Sequence, residues 1–179
     1  VDELEIEQKL ARYSHMFGIY KTKLMLQNSE ITSLPDNLEV TGGLYLNRAK
    51  IKSLPRGLKV HHRLDLSETQ ITSLPKDLKV FGVLDLEDTK KLKSLPDNFV
   101  VGGDVILYST KMKSLPKNLH VKGNLNVNSS SIESIPSDLK VDGILNLRWT
   151  PMEKKYTWEE LNDMLPDVDR ITLSFNKMN

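Results

Sequence analysis

The sequence predicts a repeat solenoid, mainly β, built as a stack of six coils of about 20 residues around a parallel sheet. Three observations carry this. A segment containing "SLP" or "SIP" recurs six times at a nearly constant period. Each period holds a stretch in which apolar and polar residues alternate, the pattern of a strand with one buried face. No single period can bury its own apolar stripe, whereas a stack can, at ~4.8 Å per strand and therefore ~30 Å for six coils.

The repeats run 31–50, 51–70, 71–91, 92–111, 112–131 and 132–151, and only the third has 21 residues, in "EDTKKLKSLPDN". In "LEVTGGLYL" the inward set is Leu38, Val40, Gly42, Leu44 and Leu46, with Ile51 and Leu54 inward across the next turn. Proline after each Ser–Leu or Ser–Ile stops strand pairing because it has no amide to donate. Glycine stands at 42, 82, 103, 123 and 143, which implies a bend or a close backbone approach between coils. His62 fills that column in the second coil. The extra residue lies on a turn, where it can bulge outward and leave the inward register unshifted.

The ends read as caps. Residues 1–19 form an N-terminal helical cap, amphipathic over 2–17 with Leu4, Leu10, Tyr13 and Phe17 on one side, and 20–30 is a half-repeat placing Leu24 and Leu26 as strand residues. Residues 152–179 form a helix–strand cap, with Thr157 and Glu160 in capping-box spacing, Pro166 as the stop and 170–175 as a final edge strand. The 179 residues are expected to form one domain.

"LYLNRAKIKSLPRGL" resembles a leucine-rich repeat of the short bacterial and bacteriophage type, LxLxxNxLxxLPxxL, and the resemblance extends over residues 24–152. It implies a non-enzymatic module that binds another protein, as an inhibitor or adaptor. The chain departs from the pattern in two ways. Thr69, Thr89, Thr110 and Thr150, with Ala49 and Ser130, replace the family's asparagine, and "LxVxG" replaces the usual leucine spacing. A straighter parallel β-helix therefore stands beside the family's curved form.

Composition narrows the functions. Lys plus Arg (25) balances Asp plus Glu (24), cysteine is absent, and hydrophobic and charged residues make up 39% and 27%. Thiolate chemistry and zinc–thiolate sites are excluded. No apolar run reaches the ~20 residues of a spanning helix, and a cytoplasmic location, of the producing cell or of a host, is expected. His61 and His62 are adjacent and face opposite ways on a strand, so no metal site and no cofactor is expected. The repeated serines (Ser33, Ser53, Ser73, Ser94, Ser114, Ser134) and the threonine column read as side chains bonding turn backbone.

The outward strand positions are the candidate partner-binding face. One column is Tyr45, Asp65, Asp85, Ile106, Asn126 and Asn146; the next is Asn47, Ser67, Glu87, Tyr108, Asn128 and Arg148. Ile106 and Tyr108 are the expected anchors. Asp65, Asp85 and Glu87, beside Glu68 and Asp88, leave a carbohydrate-active solenoid as a weaker reading. The rival site is an anion-binding edge of Lys50, Lys52, Lys90, Lys91, Lys93, Lys111 and Lys113, expected to carry no acid between 50 and 113. That edge has neither arginine nor aromatics, so nucleic acid is not the expected partner.

Overall fold

A computed structural model describes residues 23–174 together with Gln8 and the pair Ile19–Tyr20. Of the expected N-terminal helix only Gln8, helical and exposed, lies among the described residues; the apolar positions 4, 10, 13 and 17 lie outside them.

The chain winds as a parallel β-solenoid with two laddered sides. On the first side, β1 (Ile19–Tyr20), β3 (Glu39–Val40), β5 (Lys59–Val60), β7 (Lys79–Val80), β9 (Val100–Val101) and β11 (His120–Val121) pair in succession. On the second, β2 (Leu24–Met25), β4 (Leu44–Tyr45), β6 (Leu64–Asp65), β8 (Leu84–Asp85), β10 (Val105–Ile106) and β12 (Leu125–Asn126) do the same. In the sixth coil β13 (Lys140–Asn146) runs unbroken through both sides, and β14 (Val168–Thr172) pairs parallel to it. The third side carries the Ser–Leu–Pro segments. Its only bridge among the described residues joins Ser114 and Ser134.

The nine-residue strand expected in each coil is therefore two short strands joined by a bend, except in the last. Glycine explains the break. A Cβ at Gly82 would stand 2.1 Å from the His62 carbonyl oxygen, and one at Gly143 would stand 2.6 Å from that of Gly123. Successive backbones touch at this corner. The column is not inward as the alternation implied, for the corner turns it sideways: Gly42 is half-buried and His62 is exposed.

The remaining inward positions are buried. In the second coil Ile51, Leu54, Leu58, Val60, Leu64 and Leu66 all face the core, at most 9% exposed. Each such side chain contributes about 1.5–3 kcal/mol on burial, set against the entropy of ordering the coil. Buried hydroxyls close the turn that follows: Thr69, Thr89, Thr110 and Thr150 each donate to the carbonyl three residues earlier, at 2.6–3.0 Å. The serines behave otherwise. All six are exposed, and their hydroxyls have no hydrogen-bond partner among the described residues. Where the coils do bond on this side, the Lys113 carbonyl takes the Glu133 and Ser134 amides rather than a hydroxyl.

The extra residue of the third coil sits in a turn in which the Leu92 amide reaches the Thr89 carbonyl. Leu92 remains fully buried, so the register is kept. At the C-terminus, α1 (Pro151–Lys155) occupies a stretch read from sequence as the end of the sixth repeat and the start of the cap. Thr150 caps it and Pro151 opens it. α2 (Trp158–Met164) has both halves of the Thr157–Glu160 capping box and stops before Pro166. The edge strand begins two residues earlier than expected, at Val168.

Candidate binding surfaces

Strand register places the outward columns of the second side as the repeat spacing implied. Tyr45 pairs with Asp65, Asp65 with Asp85, Asp85 with Ile106, Ile106 with Asn126, and Asn126 with Asn146. Four of these residues share a local task. Asp65, Asp85, Asn126 and Asn146 each accept, through Oδ1, the amide two residues on, at 3.0–3.2 Å. A short side-chain carbonyl closes the turn as a backbone carbonyl would, which favours Asp and Asn here whatever binds outside. Tyr45 lacks this bond and folds its ring over Gly43, where a Cβ would come within 2.6 Å of it.

The N-terminal half of the second side is acidic. Asp85 is only 4% exposed, and its second oxygen takes the Arg63 guanidinium, which also faces Asp65 at 3.7 Å. Burial pushes the Asp85 carboxyl up; the Glu87 amide opposes this, Asp65 adds to it, and Arg63 draws it back. Glu87 is also raised, by desolvation first and then by Asp85, Asp88, Glu68 and Asp65. Glu68 is lowered by its 2.7 Å bond to Arg48. Asp85 thus sits beneath the surface, and no group of three or more potential metal ligands occurs among the described residues.

The C-terminal half is less charged. Asp104, Ile106, Asn124, Asn126, Ile144 and Asn146 line a shallow hollow of about 310 Å³. Beside it stand Tyr108 (36% exposed), Asn128 and Arg148, whose Nε donates to the Leu173 carbonyl at 3.2 Å. Next in sequence is Trp149, a residue that pattern reading passed over. Every coil has a left-handed residue at this turn: Asn28, Arg48, Glu68, Asp88, Ser109, Ser129 and Trp149. For an L-residue other than Asn, Asp or Gly that conformation costs about 1–2 kcal/mol. Trp149 adopts it at φ 60° and stays 61% exposed, so burial returns little of the cost. Its amide is held at 2.7 Å by the buried Glu153 carboxylate, which also takes the Ser174 amide. The indole stands on a fixed backbone with its surface open. The sequence signal was the substitution of Trp into a column of polar turn residues.

The lysine edge is exposed throughout, but the expectation of no acid between 50 and 113 is corrected at Asp88, and a further acid, Glu133, reaches the edge from the next coil. Lys90 folds back onto Asp88 and onto the Ser109 carbonyl, and Lys113 pairs with Glu133 at 3.2 Å. Lys50, Lys52, Lys91, Lys93 and Lys111 have no ion pair among the described residues. Below them on the third side, Ser73, Ser94, Ser114 and Ser134 line an open groove of about 730 Å³ over Leu74, Leu95, Leu115 and Ile135. No described helix is long and apolar enough to cross a membrane.

Compared with protein-family models and with curated proteins, the chain matches none.

Proposed function

We propose that the protein is a non-enzymatic scaffold that binds another protein through the C-terminal half of its second side. The observation that carries this reading is Trp149, an exposed aromatic kept on a costly left-handed backbone. The left-handed turn is common to every coil, and what sets this one apart is a large exposed aromatic in a column that is otherwise polar. With Tyr108 and Arg148 it makes up the three residue types most enriched where interface energy concentrates. Ile106 and Ile144 add apolar area, and the buried Asp85 and half-buried Glu87 bias the neighbouring field toward cationic partners. The resemblance to short bacterial and bacteriophage leucine-rich repeats supports the same class, and an inhibitor or adaptor acting by occlusion in the cytoplasm is the specific form proposed.

The test begins with affinity capture from native cells and identification of the captured protein by mass spectrometry. Against that partner, Trp149→Gly and Tyr108→Ala should each weaken binding by about 1–3 kcal/mol, with Lys93→Ala close to wild type. Damage confined to the lysine variant would move the site to the lysine edge and end this assignment.

A further inference from the structure

The first side carries a surface that the second-side reading does not use. Two outward rows run along it. The backbone ladder places His61, Phe81, Gly102 and Lys122 in one row, each amide bonded to the preceding coil at 2.9–3.0 Å. Lys59, Lys79, Val100 and His120 follow one another in the row beside it.

Phe81 is 52% exposed and Val100 49%, at the middle of the stack rather than at an end. They stand in adjacent rows of successive coils, so the exposed apolar area is a patch rather than one scattered side chain. One flank of the Phe81 ring is filled, because His61 lies 4.9 Å away with its plane tilted by 31°. In the next coil the row continues with Gly102, which has no side chain and cannot acquire one, since a Cβ there would stand 2.1 Å from the Phe81 carbonyl oxygen. Lys122 follows Gly102 in the row, one coil on.

The charge around it is positive. Lys79 and Lys122 have no ion pair among the described residues, and each acid of these two rows is held by a histidine: Glu39 by His61 at 2.8 Å, with Lys59 at 3.7 Å, and Asp142, one coil beyond Lys122, by His120 at 2.9 Å. That pairing also holds the Glu39 carboxyl below its ordinary range, through the His61 bond first. An aromatic face, an exposed neighbouring position without a side chain and ammonium groups free of ion pairs together fit a flat ring on an anionic backbone. The lysine edge has the cations without the ring, and an acidic peptide would use the cations without the ring.

We propose that the first side binds single-stranded nucleic acid, with a base stacked on Phe81 over Gly102 and phosphates at Lys79 and Lys122. Stacking platforms of this kind tolerate any base, so sequence preference should be weak.

The test is fluorescence anisotropy of the full chain with a labelled mixed-sequence single strand of about 16 nucleotides, at several salt concentrations. Wild type should bind at low salt, and more tightly than it binds the duplex of the same sequence. Phe81→Ala should lose about tenfold, and Phe81→Leu, which keeps apolar bulk without a ring, should lose as much. Lys79→Ala with Lys122→Ala should flatten the dependence of log affinity on log salt by roughly 1–1.5. Trp149→Gly should bind the oligonucleotide as wild type does, which separates this surface from the proposed protein site. Unchanged melting temperatures confirm that the variants are folded. The proposal is overturned if wild type does not bind, if both Phe81 variants bind normally, or if polyglutamate displaces the strand as well as unlabelled strand does.

Discussion

The Leu92 amide donates to the Thr89 carbonyl at 3.2 Å, and this one bond closes the turn that absorbs the extra residue of the third coil. Lys90 is tied to Asp88 and the Ser109 carbonyl, whereas Lys91 is exposed with no partner among the described residues. Deleting Lys91 restores the length of the other coils and leaves Leu92 to follow the turn. Its effect on unfolding free energy in denaturant titration should stay within about ±0.5 kcal/mol. A loss of several kcal/mol would mean that the turn is locked to the coils beside it.

The glycine corner should be far less tolerant. Gly82→Ala forces a methyl group against the His62 backbone, and His62 already brings a side chain to the corner beneath it. The coils must part locally, at a cost of about 1–3 kcal/mol. Unchanged stability on chemical denaturation would show that the corner opens freely, contrary to the contacts described above.

The left-handed turns predict the opposite sign. Ser109, at φ 61°, has no side-chain hydrogen bond among the described residues, so Ser109→Gly relieves strain without losing a contact. It should stabilise by about 0.5–1 kcal/mol, part of the relief being offset by the greater freedom of glycine in the unfolded chain. Trp149→Gly should likewise melt at or above wild type while losing the partner. A sharp fall in its melting temperature would make Trp149 a structural residue.

Asp85→Asn tests the buried acid. Asn126 and Asn146 make the same turn bond in later coils, so the Glu87 amide keeps its acceptor, and Arg63 retains Asp65. A carboxyl raised by burial holds its proton longer in the folded state than in the unfolded. Its penalty is absent below the ordinary carboxylate range and grows as the pH climbs through the raised range, so wild-type stability falls in that direction. Asp85→Asn should equal or exceed wild type at pH 7, with the difference vanishing below about pH 4. Thermal melts across that range decide it. A large loss at neutral pH would show that the Arg63 pair outweighs the desolvation of Asp85.

The repeat period and the two-residue alternation determined the six coils, their apolar inward residues and the neighbours within each outward column. Such relations are periodic: once coils stack in register, residue i meets i+20 by arithmetic, and Tyr45, Asp65 and Asp85 fall in line. The capping box at Thr157 and Glu160 was legible because it is local. Contacts that depend on how the backbone turns between strands were not. The corner at Gly82 and the outward turn of His62 follow from two laddered sides meeting at an angle, which alternation cannot encode. Nor could the spacing place Trp149 on a left-handed residue held by Glu153, since that carboxylate lies on a helix and its second amide comes from Ser174, 21 residues on. Only the folded stack brings those three together, because the last coil has no successor and must be closed by whatever chain follows it.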